Sequence, residues 1–317
     1  MTRAGATAAT LIALGVAPLA GCGAQNGSVV AAGGEPAPRG AMAIAVPAGP
    51  HEFDPLSASS PVDRLVSRQL FEPLVERLTG PYGDVRHLAG LALAVRPASN
   101  RTLWRIRLRS RVRFQDGSPL DASAVAANAA RWRTTPAGQA LLPGLVAADA
   151  PRPDLVRLIG DRPMRGVRRA LASPRLGIVS PRELSTSSGA GARVTRPVRA
   201  GSGPFELRPG AGGAQVLARN TGWWGTAHGL GPALDQIALR IVPDARTRLG
   251  LLRRGDVEVS WGLSEAAARR VRRDPLLTSL SGPDTSSIGL ERSVRGIDSA
   301  SAIPLLSEVW LTRIAAG

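Results

Sequence analysis

The clearest hydropathy pattern in the chain lies within residues 102–132. Apolar residues alternate with arginines over 104–109, a period of two that predicts a strand with one buried face. Asp116 and the glycine after it form a turn signal. Asp121 then precedes an alanine-rich stretch that ends at Trp132. Because a carboxylate accepts the free N–H groups of a first helical turn, we expect Asp121 to cap a helix there.

Other segments carry similar patterns with recognisable ends. Short apolar runs predict strands, and apolar residues three or four positions apart predict helices that begin at Ser or Asp. In chain order, the sequence predicts a strand at 42–46, a helix at 61–71, a strand at 74–78, a hairpin turning at 210–213, a strand at 234–243, a helix from Asp244 to Gly255, a strand at 256–263 and a helix from Ser264. Strands and helices alternate in mixed order, which predicts an α/β fold.

The first 21 residues have the layout of a secretory signal. An early charge at Arg3 is followed by an apolar run over 8–19 and by small residues before Cys22, the only cysteine. That run is shorter than the roughly 20 residues a bilayer span needs. The motif LAGC ending at Cys22 resembles the bacterial lipobox. We therefore expect a lipoprotein signal peptide at 1–21, lipid on Cys22 and a flexible tether at 22–40, with the protein on the extracytoplasmic face of the cell membrane.

Composition adds a strong positive charge. The formal net charge is +16, and all 40 basic residues are arginine. Such a charge favours anionic partners, but the arginines are scattered through every segment, and an exported protein does not meet the genome. We expect no nucleic-acid partner, and attraction to an anionic membrane surface is the simpler use of the charge.

Motifs of catalysis and metal binding are missing from the sequence. His51, His87 and His228 lie far apart and form no metal-ligand spacing. There is no G-x-S-x-G elbow, and the Gly-rich stretch 210–215 precedes a strand rather than a helix, so it predicts no phosphate cradle. We expect neither an enzyme, nor a cofactor, nor a metal site.

Several stretches together resemble the family 5 extracellular solute-binding proteins of ABC importers. The resemblance spans roughly 41–290 and rests on motifs in the family's order. These motifs are Asp54-Pro55, QLFEPLVERL (69–78), LWRIRLRSRVRFQDGSPLDASAVAANAARW (103–132), GSGPFEL (201–207), ARNTGWWG (218–225), LDQIALRIVPDARTRLGLLRRGDVEVSWGL (234–263) and AIPLL (302–306).

The resemblance implies a periplasmic-binding-protein-like (type II) mixed-sheet lobe with most of the second lobe missing. We expect the first lobe at 41–263, with an inserted subdomain at about 61–195. A remnant of the second lobe at 264–295 and a C-terminal return segment at 296–317 would follow. The implied function is non-covalent capture of a peptide or similar small polar solute, which a monomer delivers to an ABC permease. The alternative is a shortened envelope lipoprotein that binds no solute.

The resemblance also places the candidate ligand contacts. The loop after the strand 256–263 leaves the first lobe beside the cleft, which suggests Trp261, Gly262 and Ser264. Trp261 offers a flat apolar face with one N–H donor, and Gly262 permits close backbone approach. Residues past the first strand, Asp54 to Ser57, are further candidates. The structural alternative is that Trp261 belongs to the core, and Trp223 and Trp224 are predicted to pack against the hairpin.

Overall fold

The computed structural model describes residues 40–79, 85–185, 200–210, 214–228, 232, 234–274, 277–282, 285–291, 293–294 and 297–298. The predicted signal peptide, Cys22 and nearly all of the tether lie outside these residues, as does most of the C-terminal return segment. No helix among the described residues is long and apolar enough to span a bilayer.

Helices and strands alternate along the chain. The helices are α1 (Pro61–Leu70), α2 (Ala122–Thr134), α3 (Pro136–Leu141), α4 (Val167–Ala170), α5 (Pro181–Ser185), α6 (Ala245–Arg254) and α7 (Glu265–Arg272). The strands are β1 (Ala41–Val46), β2 (Val75–Thr79), β3 (Val85–Ala89), β4 (Ala92–Pro97), β5 (Leu103–Leu108), β6 (Leu145–Arg152), β7 (Leu155–Gly160), β8 (Phe205–Pro209), β9 (Gln215–Arg219), β10 (Gln236–Ile241), β11 (Val259–Leu263), β12 (Leu277–Gly282), β13 (Thr285–Glu291), β14 (Ser293–Val294) and β15 (Ile297–Asp298).

A seven-stranded mixed sheet, in the order β12-β13-β11-β1-β10-β9-β8, forms what we call the body. β1 runs parallel to both β10 and β11, whereas the remaining pairs are antiparallel. One face packs against α1 and the other against α6 and α7, so the body has an apolar core on each side of the sheet. Burial on both faces explains why β1 reads as a short apolar run.

The inserted subdomain is built around the antiparallel sheet β4-β5-β7-β6, with the hairpin β2–β3 beside it. On β5, Trp104, Ile106 and Leu108 are buried and the arginines between them are exposed, so the predicted one-sided strand is confirmed. These side chains share a core with α2, where Trp132 is fully buried. The insertion therefore has its own hydrophobic core.

The predicted capping residues are confirmed at three helices. The Asp121 carboxylate accepts hydrogen bonds from the backbone N–H groups of Ser123 and Ala124 at the start of α2. Asp244 caps α6, which ends at Gly255 in the left-handed conformation with φ of 70°. Ser264 caps α7. These ends were predictable because each depends only on residues within one helical turn.

The structure adds detail to the predicted domain bounds. α1 packs in the core of the body, whereas the core of the subdomain takes in Leu56 and the chain from Leu74 to Ile178. Within the segment 264–295, predicted as a remnant of a second lobe, β12 and β13 pair with each other and β13 pairs with β11. Strand pairing joins this segment to the same sheet as the first lobe.

Candidate functional site

The carboxyl ends of β1, β10 and β11 meet at one edge of the body because the three strands are parallel. Val46 pairs with Ile241, so β1 and β10 end level with each other, while Ala45 pairs with Ser260 and β11 runs on to Leu263. The predicted ligand contacts lie at or beside this edge: Asp54 and Ser57 in the segment 47–60 after β1, Trp261 and Gly262 near the end of β11, and Ser264 directly after it. In open α/β sheets, ligands bind outside the carboxyl ends of the strands. We call this region the carboxyl edge.

The end of β11 holds three of the predicted contacts in different environments. Trp261 is only 4% exposed and lies in the body core, on the side that also packs against α1. Its indole Nε1 is buried and has no hydrogen-bond partner among the described residues. Gly262 has φ of 71°, which favours glycine, and Ser264 is exposed at the start of α7. The structure thus places the Trp261 ring in the core.

Arg248 of α6 fixes this bend in the chain. Its guanidinium donates hydrogen bonds to the carbonyls of Val242 and Pro243 after β10, each at 2.7 Å, and to the carbonyl of Gly262 at 2.7 Å. The residue is buried, which lowers the pKa of Arg248, while the charge of Asp244 partly opposes that shift. A guanidinium is too basic to lose its proton for this reason. One buried cation therefore positions the ends of β10 and β11 together.

The segment after β1 carries Asp54 and Ser57. Asp54 is fully buried, and its carboxylate accepts a hydrogen bond from the Leu56 N–H at 3.0 Å and forms an ion pair with Arg131 of α2. Its carbonyl accepts hydrogen bonds from the N–H groups of Ser57 and Ala58. Asp54 therefore closes a turn and links the body to the subdomain, while Ser57 remains half-buried. Ligand contact by these residues, and by those after β11, stays a prediction.

A second buried acid, Glu72, was not anticipated from the sequence. It lies between α1 and β2 and is 1% exposed. One carboxylate oxygen accepts hydrogen bonds from the indole N–H groups of Trp223 at 3.2 Å and Trp224 at 2.8 Å. The other accepts the Ser202 hydroxyl at 2.9 Å and a longer bond from Trp224 at 3.1 Å. We call Glu72, Ser202, Trp223 and Trp224 the Glu72 cluster.

Arg109 and His228 cover the outer side of this cluster. The guanidinium carbon of Arg109, which follows β5, lies 4.1 Å from the centre of the Trp224 ring. His228 meets the same ring edge-on at 5.6 Å, and a nitrogen of each side chain lies 3.5 Å from the other. Arg109 also donates a hydrogen bond to the Gly90 carbonyl. The cluster therefore connects the segments flanking β8 and β9 with the subdomain.

Electrostatics at Glu72 are dominated by burial. Desolvation of the carboxylate and the nearby charge of Glu76 raise the pKa of Glu72 to about 8, although the Ser202 and tryptophan donors oppose this. The sequence held one clue to the site, an acidic residue inside the apolar run LFEPLV. Its partners lie about 130 and 150 positions further along the chain, so no local pattern could connect them.

Among the described residues, no group of three or more His, Cys, Asp or Glu side chains could hold a metal ion. The carboxyl edge instead offers backbone groups, two serine hydroxyls and positions fixed by buried arginines. These groups can hold a polar solute by hydrogen bonding.

The fold is the mixed α/β fold of the type II periplasmic binding proteins, of which this chain covers about half. Among solved structures, NikA from Brucella suis, in complex with Fe(III)-EDTA, superposes with a TM-score of 0.63 at 23% sequence identity. That superposition covers 76% of this chain and 48% of NikA.

Sequence comparison identifies the family. The family model described as bacterial extracellular solute-binding proteins, family 5 Middle, matches residues 89–294, and the chain belongs to this family. Its members are solute-binding proteins, not enzymes. The probable D,D-dipeptide-binding periplasmic protein DdpA of Escherichia coli K12 is 26% identical over 230 residues, which cover 71% of this chain and 44% of DdpA.

The glutathione-binding protein GsiB of the same strain is 25% identical over 248 residues, which cover 76% of this chain and 46% of GsiB. The chain thus spans about half the length of the curated relatives it matches.

Proposed function

We propose that this chain supplies the first lobe of a membrane-anchored solute-binding protein of an ABC importer. In this role it captures a peptide or similar small polar solute without covalent chemistry and presents it to an ABC permease. Family 5 binding proteins work with ABC permeases and bind small solutes or peptides, which supports the proposal. The observation that carries it is the carboxyl edge, where the segments after β1 and β11 leave two adjacent parallel strands.

The preference for a peptide-like solute is supported by the chemistry of that edge. Ser57 and Ser264 can donate and accept hydrogen bonds, and Gly262 lets a ligand approach the backbone. A compact peptide presents amide and charged groups that such donors and acceptors can pair with. Two curated relatives are described as binding a D,D-dipeptide and glutathione, both of which are peptide-like.

Isothermal titration of the purified chain against a panel of di- and tripeptides, glutathione and metal chelates tests the proposal. We expect at least one peptide-class solute to bind. A bulky Ser57→Trp substitution should weaken that binding at least tenfold by filling the space at the carboxyl edge. The matched Ser99→Trp variant, exposed on the turn between β4 and β5, should leave it unchanged. Silent titrations with a folded sample would instead favour an envelope lipoprotein that binds no solute.

The membrane anchor is a separate part of the proposal and rests on Cys22 at the end of the predicted signal. Two acyl chains on one cysteine hold a protein at a membrane, since each buried CH₂ contributes roughly 0.8 kcal/mol. We expect labelled palmitate to be incorporated into the wild-type chain and to be lost in Cys22→Ser, with the protein released from the membrane fraction. Equal labelling of both proteins would refute lipid attachment at Cys22.

A further inference from the structure

A groove of about 930 Å³ lies in the inserted subdomain, apart from the carboxyl edge. The hairpin β2–β3 forms one wall, and the segments around α3 and α4 form the other. Its size is within the range of small-molecule sites. Apolar groups line part of it, among them Val85, an unusually exposed valine, and Leu141 at the end of α3.

The polar groups of this groove are all basic or neutral. Arg77 and His87 are directly opposite each other on β2 and β3, so both side chains lie on one face of the hairpin. Arg165 and Arg169, at α4, line the opposite wall and are exposed. Within the described part of the chain, no acidic side chain lines the groove, and none forms an ion pair with Arg165 or Arg169.

A second cavity, of about 550 Å³, is lined by Arg109, Arg111 and Arg113 together with Asp121 and Asp154. Its lining thus differs from that of the first groove, where no acidic side chain is present among the described residues.

The charges of the arginines around the groove act on His87. Its ring Nε2 is buried and has no hydrogen-bond partner among the described residues. Burial, followed by the charges of Arg77, Arg168 and Arg169, lowers the pKa of His87. An anion in the groove near this ring would oppose the charges of the surrounding arginines.

We propose that the groove formed by His87, Arg165 and Arg169, with Arg77 beside them, binds a phosphate group. Guanidinium groups pair with phosphate oxygens through two parallel N–H bonds, and more than one arginine matches a charge between −1 and −2. The phosphate can come from free inorganic phosphate or from an anionic phospholipid headgroup. The apolar wall formed by Val85 and Leu141 would suit the latter. This site is independent of solute capture at the carboxyl edge.

The test uses the full chain and two double variants of equal charge. Arg165→Gln with Arg169→Gln removes two groove arginines, and Arg105→Gln with Arg107→Gln removes two exposed arginines from β5 of the same subdomain. Isothermal titration with inorganic phosphate should show at least a tenfold loss of affinity in the first variant and less than a twofold change in the second. The His87 ring signals in an NMR spectrum should shift when phosphate is added to the wild type.

The source of the phosphate is decided by vesicle co-sedimentation. Phosphatidylglycerol vesicles should retain the groove variant less than the β5 variant if a lipid headgroup is the ligand, and equally if free phosphate is. Phosphatidylcholine vesicles provide the baseline. The proposal would be overturned if wild-type chain bound no phosphate, or if both double variants lost affinity equally, since bulk charge alone would then explain the binding.

Discussion

Two buried acids join the body to the inserted subdomain, and they are stabilised in different ways. Asp54 pairs with a cation, Arg131, and both side chains are nearly inaccessible to solvent. Among the described residues, the hydrogen bonds to the Glu72 carboxylate come from neutral groups, two indoles and a hydroxyl, and the Arg109 guanidinium is stacked on Trp224. Removing one partner of a buried ion pair is strongly destabilising, because the other charge stays buried and unpaired. A buried carboxyl without a cation should respond to pH. The Asp54 linkage should therefore be weakened most by removing its cation, and the Glu72 linkage by a change of pH.

The largest expected effect comes from breaking the balanced pair. Arg131→Met leaves the Asp54 carboxylate buried without its cation and should lower the free energy of unfolding by about 3–5 kcal/mol in urea denaturation. Arg157→Met provides the control, because Arg157 and Asp149 form an ion pair that is about 40% exposed on each side. The Arg157→Met variant should lower the free energy of unfolding far less, because water screens an exposed ion pair. Equal losses in the two variants would mean that burial does not matter at Asp54.

The next prediction concerns pH at Glu72. The pKa of this carboxyl is about 8 in the folded chain, against an ordinary value of 4.5. Its stabilising contribution is therefore complete below pH 4.5 and is lost as pH rises through 8. The free energy of unfolding should fall by up to about 1.4 kcal/mol per pH unit across that window.

Glu72→Gln tests this assignment because glutamine does not titrate. The difference in unfolding free energy between wild type and Glu72→Gln should change steadily from pH 5 to pH 8. His87, with a lowered pKa, contributes with the opposite sign near its ordinary pKa of 6.5, and it cancels in this difference. A flat difference for Glu72→Gln would show that its carboxyl titrates normally.

A smaller effect is expected when one donor to Glu72 is removed. Trp224→Phe loses the indole N–H that lies within hydrogen-bond distance of both carboxylate oxygens and should cost about 1–3 kcal/mol at pH 9, where the carboxyl is ionised. It should also raise the pKa of Glu72 further. Trp104→Phe is the matched control, since its buried indole nitrogen has no hydrogen-bond partner among the described residues. Thermal or urea unfolding that ranks Trp104→Phe as the more damaging change would contradict the role assigned to the donor.

A local hydrogen bond at a helix cap, away from the junction, provides a reference value for the losses of unfolding free energy predicted above. Ser264 accepts a hydrogen bond from the Ala267 N–H at 3.3 Å and caps α7. Ser264→Ala should cost about 1 kcal/mol by urea denaturation, and Ser264→Asp should restore it because the aspartate is also a good cap. A cost as large as that of Arg131→Met would indicate that Ser264 supports more than one helix end.

Local features of the fold could be predicted because their causes are local. The alternation on β5, the caps at Asp121, Asp244 and Ser264, and the glycine at the end of α6 each depend on residues within a few positions of one another. The motifs that follow the order found in family 5 also made it possible to predict the overall architecture, a mixed-sheet lobe. Residues whose partners are distant could not be placed in the same way. Trp261 remained open between core and cleft, and Asp54 gave no sign of its pairing with Arg131 on α2.

The sequence by itself determined the type and order of the main elements, the helix ends and the family. These features could be determined because periodicity and short motifs depend only on residues that are close together along the chain. Only the tertiary structure decided that Glu72 meets Ser202 and two tryptophans, that Arg248 fixes the bend at Gly262, and that the arginines at α4 share a groove with His87. These contacts join residues that are from 14 to more than 100 positions apart. Their formation depends on how the sheet and the insertion pack, since packing alone sets which distant side chains share a desolvated space.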